Sequence, residues 1–343
     1  MKRFLVPVVL ASALGLNHAH AEPLQFVDTQ AQFDPADVNY SASLVTMLQE
    51  MDRVGIRRML IVPPPFPPGT ARAYDAEDIV RAIGERTDRF SFLAGGGSLN
   101  VTLLDTSPDR VTDKVKADFR ARAEAILAQG ALGLGEVTAE HLSLPLMKQG
   151  GLNHSHSTTT ADHPLLLLLA DIAAEKGVPI DIHFDIFPRT IPTPERLRSG
   201  NPAELAKNQA AFERLLRHNP KARFTWAHLG SDPAQQRTPE LMRDLLERHP
   251  NLYAAFRIAN GGPHPSTVLD AQGMLKPAWR KLIEDFSDRF TVHSDMFYVP
   301  GGPPRRGPRQ SHEMAGKLLV QLPPDLARKL AYENAQRLYR LPE

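Results

Sequence analysis

PLLLLLADIAAEKGVPIDIHFD, Pro164 to Asp185, contains one full unit of the repeat that organises this chain. Pro164–Lys176 reads as a helix entered through Asp162 as its cap, and PIDIHFD as a short strand that ends by presenting His183 and Asp185. The same rhythm runs outward in both directions. Upstream, Leu24–Phe33 is followed by a helix over Ser41–Val54, in which Leu44, Met47, Leu48, Met51 and Val54 fall at helical spacing. RRMLIVPP precedes a helix over Asp75–Asp88, FSFLAGG one over Pro108–Gln129, and ALGLGEV leads through a polar loop into the quoted unit. Downstream come the helix Pro202–His218, ARFTWAHLG with Pro239–His249, NLYAAFRIA with Pro277–Phe286, and RFTVHSDMF with Ser311–Leu319 and Pro324–Tyr339.

Eight strand–helix pairs whose strands are apolar on both faces predict a parallel sheet covered by helices and closed into an α/β barrel of the (β/α)8, TIM type. An open doubly wound sheet lacks its glycine-rich phosphate turn after the first strand. Gly95–Gly97 follows the third strand and reads as a tight turn. No linker interrupts the rhythm, so residues 22–343 read as a single domain.

The first residues read differently. Lys2 and Arg3 precede an apolar run from Phe4 to Leu16, and Ala19-His20-Ala21 has the small-x-small pattern of a cleavage site. Residues 1–21 are expected to be a signal peptide and the mature chain to be periplasmic or secreted, without membrane insertion after cleavage. A net charge of +1 gives no reason to expect a nucleic-acid partner. With no cysteine, any metal must be held by His, Asp or Glu.

Barrels keep their chemistry at the C-terminal ends of the strands. Those positions hold Gln30 and Gln32, Glu136, His183 and Asp185, His228, Arg257, and His293 with Asp295. A single polar strand end is usually a satisfied structural group, so the argument rests on several converging on one mouth. His293, two residues before Asp295, reads as a buried supporting group. His218 and His249 end helices, where a partly cationic ring favours the helix dipole. The loop carrying His154, His156 and His163 reads as solvated, although a His-x-His there could replace lost ligands. Arg257, and Arg305, Arg306 and Arg309 after the last strand, are candidates to hold a substrate carboxylate.

IDIHFD, TWAHLGSD and TVHSDMF resemble the fifth-, sixth- and eighth-strand motifs of the amidohydrolase superfamily, in its amidohydrolase-related branch, and AYENAQRLYRL resembles that branch's closing helix. The resemblance implies a (β/α)8 barrel that binds one or two divalent metals, often zinc, and hydrolyses amides, esters or lactones; some members decarboxylate acids. It also implies a first strand ending in His-x-His, where this chain reads Gln30-Ala31-Gln32. An amide oxygen is a poorer zinc donor than an imidazole nitrogen, so the expected site is a weakened one built from His183, Asp295, Glu136 and His228. The expected function is hydrolysis of a C–O or C–N bond of a small carbonyl compound, with Asp295, His228 and His183 catalytic and Gln30, Gln32, Arg257 and Arg305 contacting substrate. The alternatives are a metal-free acid–base version, a decarboxylase on the same barrel, and a periplasmic binding protein without turnover. Both a monomer and a homo-oligomer stay open.

Overall fold

The computed structural model describes residues 25–146, 151–152, 154–258, 261–302 and 310–342. The leader-like segment 1–21 and Arg305, Arg306 and Arg309 lie outside the described residues. The eight expected strands are Phe26–Phe33, Ile56–Ile61, Phe90–Phe92 continued by Ala94–Gly95, Leu134–His141, Pro179–Phe184, Arg223–Leu229, Leu252–Phe256 and Phe290–Val292. Each pairs in parallel with the next, as in Ala31 with Ile61, Ala94 with Leu134, Thr138 with His183, Thr225 with Asp181 and Phe256 with Val292. The last meets the first through Asp295 N to Gln30 O (2.9 Å), Gln32 N to Met296 O (2.9 Å), and the parallel pairing of Phe297 and Tyr298 with Gln32 and Phe33. The protein is therefore a (β/α)8 barrel, with every chemistry-bearing strand end on one rim.

The helices form where caps and breakers allow. Asn39 accepts from Ala42 N to start Tyr40–Val54, which stops at Gly55 in the left-handed region (φ 79). His163, rather than Asp162, caps Pro164–Lys176 by accepting from Leu165 N; Asp162 instead pairs with Arg214 at 2.6 Å. The helix expected over Pro108–Gln129 splits, because Thr112 accepts from Val115 N and restarts it as Asp113–Ala128. Pro202–His218 shortens to Gln209–His218, since Glu204–Leu205 pairs antiparallel with Ile191–Pro192. His249 is buried, and burial drives its ring below the usual range, so it is not the cationic helix end expected of it.

Packing fixes the rim. Trp226 is buried against Phe212, and its Nε1 donates to Phe184 O at 2.9 Å. That contact locks strand six to strand five beside His228 and His183; truncating such a side chain costs about 3–5 kcal/mol. Gly96 belongs to a close backbone crossing: a Cβ there would sit 2.3 Å from Pro63 O. Among the described residues no helix is long and apolar enough to cross a membrane.

Candidate active site

Glu136 is buried near the start of strand four and is the hub of the site. Gly135 before it has φ 148, and a Cβ there would meet Asp181 O at 2.5 Å, so only glycine lets the backbone present Glu136 inward. Glu136 Oε1 lies 3.0 Å from His228 Nε2 and 3.3 Å from His183 Nδ1. Its Oε2 accepts from Gln30 Nε2 at 2.7 Å and, at the limit of a hydrogen bond, from Gln32 Nε2 at 3.5 Å. Gln32 Nε2 also donates to Asp295 Oδ1 at 2.8 Å. Asp295 Oδ2 faces Arg257 Nη2 at 3.1 Å and His228 Nδ1 at 4.0 Å.

Two of these residues sit in strained backbone. His228 (φ 63) and Asp295 (φ 54) occupy the left-handed region, which costs a non-glycine residue on the order of 1–3 kcal/mol unless neighbours hold it. The neighbours are present. His228 N donates to His293 Nε2 at 3.1 Å, which gives His293 the supporting role expected of it. Ser294 N and Oγ donate to Asp28 at 2.9 and 2.6 Å, and Asp28 is in turn bonded to His312 Nε2 at 2.9 Å.

The charges sort by partner. For His183, burial would lower the ring, but Asp185 (3.3 Å from Nε2) and Glu136 outweigh it and hold the pKa up at about 9. Burial, and then the cationic His183, keeps His228 well below the usual range and neutral. Burial pushes Asp295 up to about 7, with Arg257 opposing.

Glu136, His183 and His228 bring three ligand atoms within 4.8 Å of one another. A tetrahedral zinc with bonds of about 2.0–2.2 Å separates its ligand atoms by roughly 3.3 Å. The 3.0 and 3.3 Å distances from Glu136 Oε1 match that, and His183 Nδ1 is buried without an aligned hydrogen bond. One carboxylate and two imidazoles are a zinc donor set, so these residues fit such an ion. Asp185 on the far nitrogen of His183 orients the ring, as carboxylates behind ligating histidines do. Asp295, expected among the ligands, stands outside this trio and is tied to Arg257 and Gln32.

The trio opens on a cavity of about 170 Å³, slightly larger than the engineered cavities of about 150 Å³ that hold benzene. Pro64, Pro65, Phe66, Leu142 and Phe297 form apolar walls around the polar floor. His154, read from sequence as solvated, lines it: its ring lies tilted, 3.9 Å from that of His141, which lies tilted, 3.8 Å from that of His183. His156 is held by Glu140 at 2.6 Å. His141 was missed because it directly follows Glu140 at a strand end, out of phase with Glu136. The GEVTAEH run, with two carboxylates and a histidine on one strand, was the available signal.

A parallel barrel with a carboxylate and two imidazoles clustered at its C-terminal rim defines an enzyme-like site that can hold a divalent metal ion. A sequence profile of the amidohydrolase family matches residues 96–341, and the chain belongs to that family. Among solved structures, 2,6-dihydroxybenzoate decarboxylase is similar in fold at 15% identity and a TM-score of 0.52, covering 92% of this chain and 99% of its own. A 4-oxalomesaconate hydratase from Rhodopseudomonas palustris is similar at 13% identity and a TM-score of 0.52, covering 92% of this chain and 95% of its own. No curated protein matches the sequence.

Proposed function

We propose that this chain is an exported hydrolase that cleaves a C–O or C–N bond of a small lactone, ester or amide, using one divalent ion, zinc first among candidates, held by Glu136, His183 and His228. The observation that supports this most is the convergence of those three ligands beside Asp295 at the floor of a small, largely apolar cavity. When bound, the ion supplies Lewis acidity toward the substrate carbonyl. Asp295 takes the proton of the attacking water and returns it to the leaving oxygen or nitrogen. Arg257 and Gln32 hold that carboxylate from two sides, and Arg257 is itself braced by Ser231 Oγ at 2.9 Å.

The decarboxylase alternative asks for a cation free to hold a carboxylate. Among the described residues lining the cavity, Arg257 is the one lysine or arginine, and it is already paired with Asp295. The test is elemental analysis of the purified protein together with a panel of lactones, esters, amides and aromatic acids followed by base consumption and carbon dioxide release. Near-stoichiometric metal and chelator-sensitive base consumption are expected. Carbon dioxide release from acids, with no base consumption on any neutral substrate, overturns the hydrolase.

A further inference from the structure

Active-site lids move on hinge residues that change φ and ψ, and the loop after strand two has few of them. Pro63–Pro68 places five prolines around Phe66, so φ is fixed at all but one position and the Phe66 N–H is the run's one backbone donor. That N–H donates to Pro64 O at 2.8 Å and Gly96 O at 3.1 Å. The carbonyls are held too: Pro63 O accepts from Glu136 N at 3.3 Å, and Phe66 O from Asn100 Nδ2 at 3.0 Å. Asn100 is fully buried and its Oδ1 accepts from Thr138 N at 2.8 Å, so one side chain clamps the loop to strand four. The crossing against strand three leaves no room for side chains: a Cβ on Gly96 would sit 2.4 Å from Pro64 O, and one on Gly97 2.1 Å from Tyr74 O. The loop is pinned to the strand that carries Glu136.

The Phe66 ring lines the cavity and is buttressed from behind. It meets the buried Tyr74 ring edge-on at 5.5 Å; Tyr74 lies 5.1 Å from Tyr40, and its hydroxyl accepts from Phe33 N at 3.0 Å. Retreat of the Phe66 ring would have to break this aromatic packing. With Pro64 and Pro65 it walls a space of about 170 Å³, room for one small ring. We propose that Phe66 is a specificity-determining residue that sets a size limit: the part of a substrate that reaches Asp295 is no larger than a single small ring, and a fused ring is turned away by a wall that does not adapt. This rests on the hydrolase reading, which makes that cavity the substrate site, and it narrows the substrates to monocyclic or short-chain carbonyl compounds. Phe66→Ala removes the ring from a wall whose backbone stays pinned, so the cavity gains the space instead of collapsing around it.

The test is binding of two uncharged probes without a scissile bond, fluorobenzene and 1-fluoronaphthalene, followed by fluorine NMR. Wild type, Phe66→Leu and Phe66→Ala are compared, and thermal melts report folding. Wild type is expected to bind fluorobenzene at least about 10-fold more tightly than 1-fluoronaphthalene, because a second ring overpacks a wall that cannot yield. The preference shrinks in Phe66→Leu and disappears in Phe66→Ala, where each probe displaces the other. A wild type that takes both probes alike, or neither, overturns the proposal. An unchanged preference in the variants overturns it as well; if Phe66→Ala does not melt cooperatively, Phe66→Leu decides. Failure of the hydrolase reading looks different: the ring preference is intact, but no lactone, ester or amide consumes base.

Discussion

Arg257 Nη2 and Asp295 Oδ2 form a largely buried ion pair, 3.1 Å long, at the mouth of the barrel. The pair joins the end of strand seven to the turn after strand eight, and Gln32 completes it from strand one. Asp295 is therefore held beside Glu136, His183 and His228 and is not one of that cluster.

Asp295→Asn should accordingly separate turnover from metal content. The expected loss in kcat is about 10²–10⁴-fold, the usual contribution of a positioned proton acceptor. Zinc per chain should stay at the wild-type value by elemental analysis. Loss of the metal together with turnover would place Asp295 among the ligands.

Glu136→Gln tests the ligand trio directly. The substitution keeps size but removes the charge that faces both imidazoles and replaces one acceptor oxygen by a donor. Zinc affinity, read by competition with a chromophoric chelator, should fall by at least about 100-fold, more than changes behind the ligands usually cause. Unchanged affinity would mean that the ion is held elsewhere.

His312 carries the clearest pH dependence of stability. Burial opposes its charge, but Asp28 (2.9 Å) and Glu50 (3.0 Å) hold the folded-state pKa at about 9, against 6.5 for a free ring. Because the folded value lies above the unfolded one, the stabilisation is fully present below about pH 6.5 and is lost as pH rises through about 9. Melting temperatures of wild type and His312→Gln should therefore converge across that window. A gap that stays constant from pH 6 to 10 would show that the ring is not charged in the native state.

His154→Leu addresses the cavity wall. Its Nδ1 donates to Ser155 O at 2.8 Å, so in the neutral ring the buried Nε2 carries a lone pair, unpartnered among the described residues, on a side chain that lines the cavity. A substrate that donates a hydrogen bond to it should show KM raised roughly 10-fold with kcat little changed, the pattern of lost uniform binding. Equal KM values across substrates with and without a donor would remove His154 from recognition.

The strand–helix alternation was legible throughout, because burial on both faces of parallel strands forces apolar runs that no other covered sheet needs. Helix starts were read less well wherever a side chain competed for a backbone N–H. His163 displaced Asp162 as a cap, and Thr112 split a helix that periodicity alone would join. At the site, Glu136, His183, His228, Arg257 and Asp295 were all named from strand-end position, since a barrel must place those ends on one rim. His141 was not, because it is out of phase with Glu136 on strand four, nor was the inward reach of His154, because loop direction after that strand carries no periodic signal.

By itself the sequence determined the class of fold, the absence of thiolate ligands, and the placing of two neutral amides, Gln30 and Gln32, at the end of strand one. Tertiary structure alone decided what those amides do, because hydrogen-bond direction depends on which atoms face one another across the barrel. Both N–H groups are turned onto Glu136 and Asp295, and Arg257 holds Asp295 from the other side. No spacing along the chain could show that arrangement, since the two glutamines lie 104 to 263 positions from the carboxylates they bond.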